Sequence, residues 1–213
     1  MSKQLTYYSG LLLLFFIASC GQNSNKPATK QAPTPPPVIN IDSIAAIVQT
    51  GDVAMRSGLG PDSYMLIQMN ARDKKYSHCG VIVIENGYPF VYHCIGGEDN
   101  PGMRMRRDSL ASFFRPKYNS GFGIVRYDQD SATNTRVVTA VTNYYKAAPR
   151  FDMDFDLLTE DKLYCSELVY KAELAATADT DYISTSVVSG KRYVGIDDLY
   201  LTAHAHFVWK LAY

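Results

Sequence analysis

Apolar and polar positions alternate with several distinct periods along the chain, and these periods predict both strands and helices. Two β-rich runs, Ser77 to Ile84 and Pro89 to Ile95, flank Asn86 and Gly87, the favoured pair for a two-residue hairpin turn. Apolar residues recur at helical spacing over Thr135 to Ala148 and from about Ser166 into an alanine-rich stretch. The pattern therefore predicts an α+β domain in which an antiparallel sheet packs against helices.

Shorter elements are predicted around this framework. These elements are a helix within Ile41 to Gln49, strands at Val53 to Met55, Gly123 to Tyr127 and His206 to Leu211, and a short helix or turn at Ile196 to Tyr200. A polar, glycine-containing loop is expected before Ser77 and another over Gly96 to Met103, and Arg104, Arg106 and Arg107 after it form a basic cluster, which is either a solvated surface or a site for substrate carboxylates.

The hairpin turn fixes the register of its two strands. With Asn86 and Gly87 as the loop, Glu85 faces Tyr88, and the pairing can be counted outward from there. His78 and His93 then project from the same face as diagonal neighbours on the two strands, with roughly 7 Å between their backbones. We expect their imidazole rings to touch.

The same register places Cys79 directly across from Cys94, on the opposite face of the hairpin. Two interpretations stay open for this pair. The two residues form a cross-strand disulfide after export, or they are two small core residues, since sheet geometry strains such a bridge. With Cys165 the count is odd, so at least one thiol is expected to stay unpaired.

The first 37 residues differ from the rest. An apolar run, Leu11 to Ile17, is too short to span a bilayer and ends in small residues before Cys20, as a secretory signal peptide does. The tetrapeptide IASC resembles the lipobox of bacterial lipoproteins, in which the cysteine is acylated; the alternative is an ordinary signal with a chance cysteine. We expect a signal peptide over 1–20, a proline-rich tether over 21–37 and a folded domain over 38–213.

This organisation predicts a protein of the bacterial cell envelope, bound to the membrane through a lipid on Cys20 and facing the periplasm or the exterior. The chain has 21 basic and 21 acidic residues among 213, so nothing in its charge indicates a nucleic-acid partner. We expect a monomer without cofactors. The acidic segment Phe151 to Lys162 lacks the glycine and the terminal glutamate of an EF-hand, so no metal is expected there.

Cys165 is the candidate for chemistry, because it lies where an extended segment becomes a helix. At a helix N-terminus the macrodipole and the free backbone N–H groups favour the thiolate. A single cysteine is more often a small buried apolar residue, so the interpretation depends on a partner base.

Of the four histidines, His78 and His93 are the two that the sheet register brings together. The geometry permits a Cys165, His78 and His93 triad, with His78 as the base and His93 as the group that orients it. His204 and His206 lie in the terminal stretch without a partner signal and are expected to be structural or exposed.

Several segments together carry a family resemblance over most of Thr50 to Leu174. Gly51 and Asp52 at a strand start, the segment SHCGVIVI, a polar residue fifteen positions after its histidine, and an FD-rich segment running into LYCSELVY resemble the permuted papain-like amidases of the YaeF/YiiX type. That family is related to the NlpC-type cell-wall hydrolases.

The resemblance implies a circularly permuted papain-like fold with Cys165 as nucleophile, His78 as general base and His93 as third member. The chain departs from the frequent pattern by having histidine instead of glutamate at that third position. Tyr164 corresponds to the site tyrosine of the family, expected to line the pocket or support the oxyanion.

The implied function is hydrolysis of an amide bond in a small peptide-like or acyl amide substrate, such as a cell-wall peptide. Three alternatives remain open. The site hydrolyses or transfers lipid acyl esters or thioesters, as relatives of the lecithin retinol acyltransferase type do, although their Asn-Cys-Glu-His signature is absent. The domain binds without catalysis, or His78, His93 and Cys165 hold a metal, for which a fourth ligand is missing.

Overall fold

The computed structural model describes residues 38–97, 100–188 and 190–211, and its centre is a six-stranded antiparallel sheet. The strand order in this sheet is β10-β5-β1-β2-β3-β4. Two small two-stranded sheets pair β6 with β7 and β8 with β9. The strands are β1 Val53–Gly58, β2 His78–Glu85, β3 Tyr88–His93, β4 Arg106–Ser109, β5 Asn119–Tyr127, β6 Arg150–Phe151, β7 Lys162–Leu163, β8 Ser186–Val188, β9 Lys191–Tyr193 and β10 Ala205–Leu211.

The predicted hairpin is confirmed with its register. Glu85 pairs with Tyr88 and Val81 with Tyr92 across β2 and β3. Asn86 and Gly87 have φ values of 50° and 83°, the left-handed conformations that a type I′ turn requires. The strand ends that carry the histidines are therefore set side by side by the turn chemistry.

Helices cover both faces of the large sheet, which explains why β2 reads as an almost continuous apolar run. One face packs against α4 and α5, and the other against α1 and α3. Alternate residues of β2 divide between the two cores, with Val81 on the first face and Ile82 on the second. The helices are α1 Ile41–Ala45, α2 Pro61–Met69, α3 Leu110–Phe114, α4 Ser131–Ala147, α5 Cys165–Thr177 and α6 Ile196–Tyr200, with a 3-10 turn at Pro116–Tyr118.

The long predicted elements are confirmed, and several shorter elements were missed. α2 lies in a stretch expected to be a loop, because none of its residues is buried and it therefore has no core-facing periodicity. β4 was read as a cluster of basic side chains, and α3 is only five residues long. The β8–β9 hairpin is equally short. These elements depend on tertiary contacts more than on local pattern.

The predicted signal peptide, the predicted lipid on Cys20 and the predicted tether lie outside the described residues. Within the described ranges, no helix has the combination of length and apolar character needed to cross a bilayer.

A buried acid on α5 gives a prediction about stability. Glu173 is 1% exposed, and neither of its carboxyl oxygens has a hydrogen-bond partner among the described residues. Burial raises its pKa to about 8, outweighing the opposite effect of the nearby Gln129. The folded state then holds this proton more tightly than the unfolded chain, so its stability falls as pH rises from about 4 towards 8.

We therefore expect Glu173→Gln to unfold at a higher urea concentration than wild type at pH 9 and at a similar one at pH 5. The difference between the two proteins should change by roughly 3 kcal/mol over this range. Glu160→Gln, a substitution at an exposed position, is the control and should follow wild type. An equal pH dependence in Glu173→Gln and wild type would refute the assignment.

Candidate active site

Cys165 is the first residue of α5 and lies at one end of a large cavity. The residue is 6% exposed and lines this cavity of about 1030 Å³. Its position confirms the expected change from an extended segment to a helix, with the short strand β7 ending at Leu163 just before it. The first turn of the helix therefore presents its backbone N–H groups at the sulfur.

The start of α5 is fixed by its own side chains. Glu167 accepts a hydrogen bond from the backbone N–H of Tyr164 at 3.1 Å and forms an ion pair with Lys171 at 3.0 Å. This is the capping interaction expected of an acid in the first turn. Burial nevertheless raises the pKa of Glu167 to about 7. Glu167 thus holds the helix start and not the substrate.

Tyr164 is also structural, which corrects the expectation that it lines the pocket or supports the oxyanion. Its side chain is fully buried, and its hydroxyl accepts a hydrogen bond from the backbone N–H of Val194 at 3.0 Å. The ring stacks on Tyr193 with centroids 5.3 Å apart. Tyr193, which the sequence did not single out, lines the cavity, as does Tyr118.

The environment of Cys165 favours its thiolate. The Cys79 thiol donates a hydrogen bond to the Cys165 sulfur and is the main reason that the pKa of Cys165 is lowered, although burial acts in the opposite direction. Backbone N–H groups of Cys79, Ser166 and Cys165 itself add to the effect. Burial raises the pKa of Cys79 well above its usual value, so Cys79 stays a neutral donor.

The three described cysteines are all free thiols. Of the two interpretations left open for Cys79 and Cys94, the structure shows two small core residues on the face that carries α5. Burial raises the pKa of Cys94 as it does that of Cys79. Cys165 is therefore distinguished from the other two by its position at the helix start and by the cavity that it lines.

His78 and His93 form the predicted contact, and a carboxylate extends it. His78 Nε2 lies 2.9 Å from His93 Nδ1, and His93 Nε2 lies 3.2 Å from Asp108 Oδ2. Arg106 donates to the other oxygen of Asp108 at 2.9 Å. The hydrogen bond from His93 lowers the pKa of Asp108 to about 2, with help from Arg106. We call the series His78, His93 and Asp108 the relay.

The relay fixes which nitrogen of each ring carries the proton. An ionised Asp108 accepts only, so the Nε2 of a neutral His93 must hold a proton and its Nδ1 must accept. His78 then donates through Nε2, which leaves its Nδ1 unprotonated. Burial lowers the pKa of both rings, most strongly that of His78, to which Arg56 adds a further decrease. The relay therefore keeps His78 neutral, with an unprotonated Nδ1.

Local packing holds the two rings together. A Cβ at Gly80 would lie 2.7 Å from the Cβ of His93, so the glycine leaves room for the ring that faces it across the hairpin. Phe113 of α3 covers the pair, with its ring 5.5 Å from that of His78 and 5.2 Å from that of His93. Arg56 donates to the Phe113 carbonyl at 2.6 Å. These contacts exclude water from the relay.

His78 and Cys165 line the same cavity. The hydrogen bonds described for these two residues go to other partners, His93 for the imidazole and Cys79 for the thiol. In ligand-free sites catalytic hydrogen bonds are often long or bridged by one water and shorten when substrate binds. The predicted nucleophile and base thus border the same cavity, and His93 is hydrogen-bonded to His78.

The remaining histidines are structural, as expected. His206 forms an exposed ion pair with Asp128 at 2.9 Å, and His204 stacks on Tyr182 with centroids 4.4 Å apart.

Within the described part of the chain, no three His, Cys, Asp or Glu side chains converge as metal ligands would. The relay occupies three of its four imidazole nitrogens with hydrogen bonds. The suggested set of His78, His93 and Cys165 is therefore poorly disposed for a metal.

The sequence missed Asp108, although a signal for it exists. Asp108 lies on β4, whose register with β3 pairs His93 with Arg106, so a residue two positions on is the diagonal neighbour of His93. Because the segment was read as a basic cluster, the strand and its carboxylate were not recognised. The arginines of that cluster form structural contacts, such as Arg107 with Glu85 at 2.6 Å.

Comparison with known proteins gives a fold relationship only. No family model matches the sequence, and no curated protein matches it. Among solved structures the chain is similar to the metalloprotein YiiX from Escherichia coli O157:H7, with a TM-score of 0.62 and 18% identity over 76% of this chain and 97% of that chain. At this identity the likeness shows a shared α+β fold.

Proposed function

We propose that this protein is a cysteine hydrolase that cleaves an amide bond, with Cys165 as nucleophile, His78 as general base and His93 and Asp108 as positioning residues. The observation that carries the proposal is the relay ending in one cavity with a cysteine at a helix N-terminus. A base oriented on its far nitrogen is the arrangement that thiol catalysis requires.

The chemistry proceeds in two steps. His78 Nδ1 takes the thiol proton, and the sulfur of Cys165 attacks the carbonyl carbon of the substrate; the amine then leaves with the proton from His78 and a thioester remains. Water, deprotonated by His78, attacks the thioester and releases the acid and the thiol. The backbone N–H groups of Cys165 and its neighbour Ser166 stabilise the oxyanion in both steps.

We further propose a permuted papain-like arrangement, in which the base precedes the nucleophile along the chain. The fold shared with YiiX and the order of His78 before Cys165 support it. Acylation of Cys20 and a location at the cell envelope remain part of the proposal, on the sequence grounds given above. The substrate would then be an amide available at the membrane or in the cell wall.

A covalent intermediate tests this function. Incubation of the protein with an activated amide, such as an N-acyl p-nitroanilide, and acid quenching should give a mass increase of one acyl group on the Cys165 peptide. Cys165→Ala should show neither the adduct nor release of nitroaniline, whereas Cys94→Ala should show both. Nitroaniline release by Cys165→Ala at the wild-type rate would overturn the proposal.

A further inference from the structure

Part of the cavity wall is α2, a helix with apolar side chains of which none is buried by the described residues. Every other α-helix among the described residues buries at least one side chain, but α2 buries none. Within α2, Tyr64 and Met65 are 67% and 65% exposed. A helix with this many uncovered apolar side chains indicates a partner from outside the chain.

The cavity side of this wall is mainly apolar. Along and beside α2, five apolar side chains and two polar ones line the cavity: Leu59, Pro61, Met65, Leu66 and Met69, with Asp62 and Ser63. Methionine and leucine offer no hydrogen bonds and adapt to an irregular hydrocarbon. Phe151, Met153 and Phe155 of another segment add to the apolar lining. An acyl chain would bury its surface against these apolar side chains.

The same cavity carries a positive edge. Arg115, just before the 3-10 turn, and Lys117, within it, line the cavity, and neither forms an ion pair within the described residues. Lys117 lies 5.4 Å from the ring of Tyr118, and Asp62 is the one acid in the described lining. The cavity therefore combines an apolar wall with an edge that attracts anions.

We propose that the substrate class is an amphiphilic acyl amide, whose hydrocarbon chain lies along α2 and whose anionic group lies at Arg115 and Lys117. The inference rests on the proposed function, because it places the scissile carbonyl at Cys165. The reaction transfers the fatty acyl group to the Cys165 sulfur, releases the amine, whose nitrogen takes the thiol proton through His78, and then gives a fatty acid and the free thiol after attack by water.

A series of N-acylglycines tests the proposed position of the substrate's hydrocarbon chain along α2. With acetyl, hexanoyl, decanoyl and tetradecanoyl groups, kcat/KM should rise about twofold per CH2 until the chain fills the cavity, less than the fourfold expected of full burial. Met65→Gln should reduce the ratio of decanoyl to acetyl rates several-fold. Tyr64→Gln is the matched control, equally exposed on the same helix but outside the cavity lining, and should keep the wild-type ratio.

The methyl esters of the same N-acylglycines test whether Arg115 and Lys117 bind the negative charge of the substrate. Arg115→Gln with Lys117→Gln should remove the preference for the free carboxylate, a few-fold at low salt. Lys146→Gln, at an exposed position on α4 outside the cavity, should leave it. A preference that persists in the double variant would overturn the assignment of the anion.

Binding to Cys165→Ala separates this inference from the function. By calorimetry, decanoylglycine should bind this variant at least tenfold more tightly than acetylglycine. Equal affinities for the two acylglycines would refute the inference. If affinity does not depend on acyl-chain length and Tyr64→Gln and Met65→Gln both lose binding to lipid vesicles, α2 is a membrane-binding helix instead. Failure of the proposed hydrolase function would give a different result. Wild type would then acquire no acyl group from any substrate, while binding still depended on the length of the acyl chain.

Discussion

Replacing His78 with alanine is expected to lower the turnover of an amide substrate by about 10³-fold, within the range typical for a general acid-base group. The ring is the described group that joins the relay to the cavity containing Cys165. Without it, nothing takes the thiol proton and nothing protonates the leaving amine. Steady-state hydrolysis of the p-nitroanilide measures the loss.

Two controls make this result specific. His206→Ala removes an exposed histidine that pairs with Asp128 and should retain wild-type turnover. Added imidazole should restore part of the activity of His78→Ala, because a cavity of about 1030 Å³ has room for it. Wild-type turnover in His78→Ala would exclude His78 as the base.

Asp108→Asn is expected to reduce turnover by roughly 10²-fold, less than the loss seen when an asparagine replaces the carboxylate directly behind a catalytic base. Arg106 donates to one oxygen of Asp108 and His93 faces the other. An asparagine would keep its carbonyl at Arg106 and turn its amide N–H groups towards His93. His93 would then carry its proton on Nδ1, and His78 would carry its own on the nitrogen needed as base.

The tautomer of His78 distinguishes this role of Asp108 from a merely structural one, because a structural change alone would not alter it. Nitrogen NMR of labelled protein should show Nε2–H in wild type and Nδ1–H in Asp108→Asn. Glu85→Gln is the matched control, since Glu85 also accepts from an arginine of β4, Arg107, but lies outside the relay. An unchanged tautomer and unchanged turnover in Asp108→Asn would remove Asp108 from the mechanism.

The sequence predicted those parts of the site that follow from local rules. Asn86 and Gly87 dictate the turn, the turn dictates the register, and the register brings His78 to His93. The position of Cys165 follows from the helical spacing of the residues after it. These relations depend on backbone geometry over short distances, so a pattern reveals them.

What the sequence could not predict depends on packing between distant segments. Asp108 reaches His93 only through the pairing of β4 with β3, and the cover over the rings comes from Phe113 of a five-residue helix. Tyr164 stands beside the nucleophile along the chain but points into the core. Side-chain direction and the partners of short elements are set by the whole fold.

The measurement that tests the central claim most directly is the rate of Cys165 alkylation by iodoacetamide as a function of pH, in wild type and His78→Ala. Cys79 and Cys94 serve as controls in the same mass spectra, because burial raises the pKa of both. We predict that Cys165 reacts at pH 6 at least tenfold faster than a free thiol with a pKa of about 8.5 in both proteins, because Cys79 and the backbone N–H groups at the helix start, and not the neutral His78, lower its pKa. A wild-type Cys165 that reacts no faster than the free thiol would contradict the account.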